Sequence, residues 1–227
     1  MGITPAALLV FNDMAQKGLF AGKPPAIIEM GSQEIHVRDA GLFARIFDSF
    51  GLPAAQRPPI GFGAKGRTLF ESLGFAYECV DLDGVARTQP WDLNDIECPD
   101  DFRERFVLTT NHGTTEHLIG QDNAFRLIHD LTAPGGYMMH TLPCTGQVDH
   151  GFFCYSPVFF YSLAKANGYE MSYFFLTDFN QLMPYQRDAL PAFSYVLAVM
   201  QKTRSEPYRR PMQIWDWNSA RYVDSIA

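Results

Sequence analysis

The chain has 227 residues, 47% of them apolar and 14% aromatic, which is enough material for one domain with a large core and rules out a disordered polymer. Its net charge is −7 and it has no lysine–arginine run, so it lacks the basic face that neutralises nucleic-acid phosphates. No apolar run approaches the ~20 residues of a membrane span, and the four cysteines form no CxxC pair, which reads as reduced thiols in a cytoplasmic protein.

In chain order, residues 4–18 (TPAALLVFNDMAQKG) predict a helix, with Thr4 as its cap, Pro5 in its first turn and Gly18 as its stop. Residues 1–25 therefore form an N-terminal helical extension. AIIEM at 26–30 predicts a buried strand that runs into a tight turn at Gly31. A helical pattern follows at 38–50, and a loop rich in proline and glycine at 52–66. A short helix at 68–73 ends at Gly74, and a strand at 75–80 ends in Asp81-Leu82-Asp83-Gly84. Strands are expected at 88–94, closing in Asp92-Leu93-Asn94, and at 106–110. Beyond these lie a helix at 123–131, a strand at 137–142, a helix at 156–167 and a strand at 171–177. A helix at 189–202 and a last strand at 212–217 complete the set.

Strands that alternate with helices imply a mostly parallel sheet with helices on both faces, and ligands of such sheets sit beyond the carboxyl ends of the strands. The polar clusters follow that rule. Glu29-Met-Gly31, Asp81-Leu-Asp83, Asp92-Leu-Asn94 and Asn111-His-Gly113 all fall at predicted strand ends.

The same pieces, in the same order, resemble a class I S-adenosylmethionine (SAM)-dependent methyltransferase over residues 26–217. IIEMGSQ resembles the acidic, glycine-containing end of the first strand, YECVDLDG the second strand, WDLN the adenine-contacting segment and TTNHGTTEHL the fourth strand with its Glu-His pair. FRLIHDLTAPGGYMMHTLP resembles the helix, turn and fifth strand, and HGFFCYSPVFFYSLAKANGYE the helix that ends in Gly-Tyr. The resemblance implies a single-domain α/β, Rossmann-like, seven-stranded fold. It implies SAM as cofactor, bound by Glu29, Gly31, Gln33, Asp81, Asp92, Leu93 and Asn111. It also implies in-line methyl transfer to a small-molecule acceptor.

The glycine turn departs from the family pattern: Gln33 stands where a second glycine is expected. The acid of the second strand lies much further along than the ~20 residues of a dinucleotide fingerprint. Residues 38–68 are accordingly read as an insertion, a flap over the site. Gly61 to Gly66 lacks the spacing of a phosphate loop.

Five of the six histidines fall between His112 and His150. Their spacing matches no HExxH and places no i, i+4 pair on one helical face, which argues against a metal. Histidine titrates near neutrality, and an amine or hydroxyl acceptor must lose a proton, so His112, Asn111 and His150 are the candidate catalytic groups. His117, His140 and Tyr155 are the candidate acceptor contacts. For His112 a local, structural role stands equally open, and His129 reads as a packed residue. Three rival readings remain: intramolecular alkylation by SAM, a non-catalytic partner subunit on this fold, and a metal-dependent hydrolase. A second copy of the chain, as a homodimer, is the macromolecular partner left open.

Overall fold

A computed structural model describes residues 2–22, 25–82 and 88–213. The chain forms α1 (Pro5–Gln16), β1 (Ala26–Met30), α2 (Ala40–Ser49), α3 (Gly66–Ser72), β2 (Ala76–Val80) and β3 (Phe106–His112). It continues with α4 (Gln121–Leu131), β4 (Thr132–Thr145), α5 (Pro157–Asn167), β5 (Glu170–Thr177), β6 (Leu182–Pro184) and β7 (Ser194–Gln201). The seven strands build one sheet in the order β2-β1-β3-β4-β7-β5-β6. β2, β1, β3 and β4 pair in parallel. β7 runs antiparallel between β4 and β5, and β6 folds back on β5. The sheet is thus mostly parallel, with two reversed strands at one side.

Both faces of the sheet are covered, so its strands are apolar on both sides and alternate between two cores. Ile27, Tyr137, Met139, Leu197 and Val199 face α1, α2 and α3 and pack with Phe11, Phe47 and Phe70. Ile28, Met138, Leu142, Val196 and Met200 face α4 and α5 and pack with Phe125, Ile128, Phe160 and Leu163. Local signals set the helix ends. Thr4 Oγ1 accepts from the Ala7 amide at 3.3 Å, Asp39 Oδ1 from the Leu42 amide at 3.1 Å, and Gly168 closes α5 in a left-handed conformation.

Two expectations change. Residues 189–202 form no helix; SYVLAVMQ is the buried strand β7. A short apolar run reads alike as helix or central strand, and its valines favour the pleated surface. Residues 88–94 form no strand beyond a single bridge from Gln89 to Val80, after which the chain turns. Within the 38–68 region, Leu42, Phe43, Ile46 and Phe47 of α2 are buried in the core they share with α1 and α3. The strand expected at 212–217 falls mostly outside the described residues. None of the described helices is long and apolar enough to cross a membrane.

Candidate functional site

Register builds the site. Met30 pairs with Val80 on one side and with Asn111 on the other, so β1, β2 and β3 end in one row. The chain leaves β1 through Gly31 at φ +84°, and the Gly31 amide donates to Val80 O at 2.8 Å. A side chain here would be strained, and its Cβ would come within 2.7 Å of both Gln33 Nε2 and Thr114 Oγ1. The Ser32 amide donates to Asp81 Oδ2 at 2.8 Å, which ties the two strand ends together. Thr114 Oγ1 donates to Met30 O at 2.6 Å, which ties in the third.

These turns border a cleft of about 310 Å³ lined by Gly31, Ser32, Gln33, Asp81, Leu82, Trp91, Asp92, Leu93, Thr114 and His117, among others. That volume falls at the lower end of the roughly 300–1,000 Å³ of small-molecule sites. Asp81 and Asp92 give one side of the cleft its carboxylates. Asp92 Oδ1 accepts from the amide (2.9 Å) and the side chain (2.8 Å) of Asn94, and these bonds hold its pKa below the usual aspartate value. Gln33 turns its amide nitrogen inward, to Met30 O at 3.0 Å and Thr114 Oγ1 at 3.3 Å, and its buried Oε1 has no partner.

Of the residues singled out in the sequence, Gly31, Gln33, Asp81, Asp92, Leu93 and His117 line this cleft. Glu29, Asn111, His112, His140, His150 and Tyr155 do not. Glu29 is fully buried beneath the turn and accepts from the Tyr77 hydroxyl. Burial lifts its carboxyl from 4.5 to about 8, against the pull of the Tyr77 hydrogen bond. Gly66 starts α3 directly on that carboxyl; a Cβ there would lie 2.8 Å from Oε2. The glycine run at 61–66 thus ends by letting α3 pack against β1.

Asn111 is spent on its own turn: Nδ2 donates to Thr115 Oγ1 at 2.9 Å, and Oδ1 accepts from the Thr115 amide at 3.3 Å. His112 is buried, with Nδ1 3.0 Å from Thr141 Oγ1, and burial lowers its pKa to about 4. His140 is buried between Phe125 and Phe160, and burial lowers it to about 3. The Tyr155 hydroxyl donates to Gln121 Oε1 at 2.6 Å, inside the core. His129, read as packed, bonds Tyr169 and Glu206 O.

Beside the cleft, His117 meets Glu116 and His150. Nε2 of His150 lies 3.5 Å, and Nε2 of His117 3.9 Å, from the buried Glu116 Oε1. Burial lifts the Glu116 carboxyl from 4.5 to about 7. Ser32, Trp91 and Thr114 line the cleft without having been singled out as site residues. Their signal was position: Ser32 adjoins Gly31, Trp91 adjoins Asp92 and Thr114 adjoins Gly113. A second opening of about 490 Å³ lies between α4 and the 205–208 segment. Its charges are paired, as in Arg103–Asp130 at 3.1 Å within the lining and Glu104 with Lys202 at 3.0 Å outside it.

The fold is that of the class I SAM-dependent methyltransferases. The chain superposes on 1,6-didemethyltoxoflavin-N1-methyltransferase of Burkholderia thailandensis with a TM-score of 0.50 at 14% identity, over 85% of this chain and 78% of that one. It superposes on geranyl diphosphate methyltransferase with a TM-score of 0.51 at 10% identity, over 87% of this chain and 81% of that one. The first of those structures holds 1,6-didemethyltoxoflavin and S-adenosylhomocysteine, and the second geranyl diphosphate and sinefungin. No family model matches the chain, and no curated protein matches it.

Proposed function

We propose that the protein is a SAM-dependent methyltransferase of a small molecule. One observation carries the reading: the Asp81 carboxylate, braced by the Ser32 amide, opens on the same cleft as the Gly31 turn and Asp92. That arrangement suits a ligand with a diol, an adenine edge and an amino-acid tail. Asp81 would accept hydrogen bonds from the ribose hydroxyls. Asp92, Leu93 and Trp91 would hold the adenine. Gly31, where no Cβ intrudes, and the unpartnered Gln33 Oε1, an acceptor suited to an ammonium, would hold the amino-acid end. When bound, SAM supplies an electrophilic methyl group on a sulfonium.

The chain's own contribution is alignment. Holding acceptor and methyl in line converts a bimolecular step into an effectively unimolecular one. The acceptor approaches from the His117 side. His117 and His150 are the polar groups there, and Val148 and Phe152, both exposed on the same loop as His150, supply apolar surface. That mixture suits an acceptor with one polar atom on an apolar body.

Calorimetric titration of the chelator-treated protein with SAM and with S-adenosylhomocysteine tests the proposal. Micromolar binding of both is expected. Binding of neither would overturn it and leave a methyltransferase fold without its cofactor.

A further inference from the structure

We infer that Glu116, His117 and His150 form a binding site for one divalent late transition metal of the zinc type, at the acceptor side of the cleft. One ligand atom from each of the three residues lies within 4.8 Å of the other two. Glu116 is fully buried, and neither of its carboxylate oxygens has a hydrogen-bond partner. A buried carboxylate without a partner is costly, and a cation in front of it removes the cost. Two imidazoles and a carboxylate, with further positions open, are the donor set of three-ligand zinc centres and of the facial triads that hold other divalent metals of that series.

The geometry is close to what a metal needs. Ligands at about 2.0–2.2 Å in a tetrahedral shell lie roughly 3.3–3.5 Å apart. Glu116 Oε1 and His150 Nε2 already stand 3.5 Å apart. His117 stands at 3.9 Å and is about half exposed, so its side chain is free to swing inward. The scaffold is fixed independently of any ion. The Phe152 and Phe153 amides donate to Glu116 O at 2.8 and 3.2 Å, which pins the loop carrying His150 onto the backbone of Glu116. Gly151 allows that contact, since a Cβ there would come within 2.9 Å of Glu116 O and 3.2 Å of His117 Nδ1. The exposure of both histidines leaves the remaining coordination positions open, and because His117 also lines the cleft, they lie on its side.

Two of the ligands adjoin in sequence and the third comes from the loop after β4, which explains why no metal motif is legible in the sequence. This inference does not depend on SAM binding, and its test reads the metal directly.

The full chain is stripped with chelator and titrated with Zn2+ against a competing indicator. Co2+ serves as an optical probe, since its visible d–d bands report imidazole and carboxylate ligation. One Zn2+ per chain is expected, with excess Mg2+ failing to displace it, because a hard cation prefers an all-oxygen shell. His150→Ala and Glu116→Gln should each weaken binding at least about 100-fold, beyond the 10–100-fold typical of residues that only support a ligand. His36→Ala, at a histidine that stacks on Phe62 and is not part of the cluster, should leave it unchanged. Far-ultraviolet dichroism and melting temperature establish that each variant folds; should His150→Ala fail to fold, His117→Ala serves in its place. No stoichiometric Zn2+ or Co2+, or binding that survives both His150→Ala and Glu116→Gln, would overturn the site.

Discussion

The two ends of the cleft are built differently. At the end we assign to the nucleoside, Gly31, Ser32 and Asp81 sit at adjacent parallel strand ends, joined by the Gly31 amide to Val80 O and the Ser32 amide to the Asp81 carboxylate. At the acceptor end, Glu116 and His117 lie in a short 3-10 turn after β3, while His150 arrives from a loop beyond β4. The first is fixed by the sheet itself, the second by one loop pinned onto another. A site written into strand ends holds a common ligand. A site assembled from loops is where one member of a fold can differ from the next.

The largest effect that would break this contrast belongs to Asp81. Two charge-assisted hydrogen bonds, each worth about 1.5–3 kcal/mol, are lost in Asp81→Ala. SAM affinity should fall by about 1,000-fold or more, read by calorimetry; unchanged affinity would remove Asp81 from the cofactor site. Next comes Glu29, which supports the same end from below. Its carboxyl titrates at 4.5 when unfolded and at about 8 in the fold. Between those values the native state holds a proton that the unfolded chain releases, so stability falls as pH rises through that window. Glu29→Gln removes the penalty. Its stability advantage over the parent should grow by about 3 kcal/mol from pH 4.5 to pH 7, at about 1.4 kcal/mol per pH unit near the upper end. Denaturant melts at the two pH values measure it, and a pH-independent difference would sink the account.

The glycine turn and the acids that line the cleft were legible in the sequence because they are local. Gly31 and Asp81 each follow an apolar strand, and strand-end position alone gathers them; Asp92 reaches the same cleft from the turn after the Gln89 bridge. The helix cap at Thr4 was equally local. What failed needed tertiary information. SYVLAVMQ became β7 because the gap between β4 and β5 takes a strand buried on both faces, which a short apolar run cannot announce. Histidine count drew attention to His112 and His140, yet both are buried and lie off the cleft. The side on which a strand residue faces depends on register, and register is invisible until the strands pair.

His112 puts that last point to the test. His112→Gln keeps a polar group opposite Thr141. It should cost about 1–2 kcal/mol of stability at pH 8 while leaving SAM affinity within about tenfold, or about 1.4 kcal/mol. The imidazole titrates near 6.5 when unfolded and near 4 in the fold, so the parent loses stability as pH falls through that window, and the variant does not. The cost of the substitution should therefore shrink toward acid, as read by melts at pH 8 and pH 5. A tenfold or larger loss of SAM affinity would return His112 to the cleft.

The finest test concerns the adenine edge. Asp92 is exposed and already accepts two bonds from Asn94, so Asp92→Ala should lower SAM affinity only about fivefold, roughly 1 kcal/mol. Its sharper consequence is selectivity. A carboxylate acceptor favours the exocyclic amine of adenine and repels the carbonyl oxygen that replaces it in hypoxanthine. The parent should prefer SAM over its inosine-based analogue, and Asp92→Ala should erase most of that preference. If the preference survives the substitution, the adenine edge is read by backbone at Leu93, and the carboxylate of Asp92 serves the turn alone.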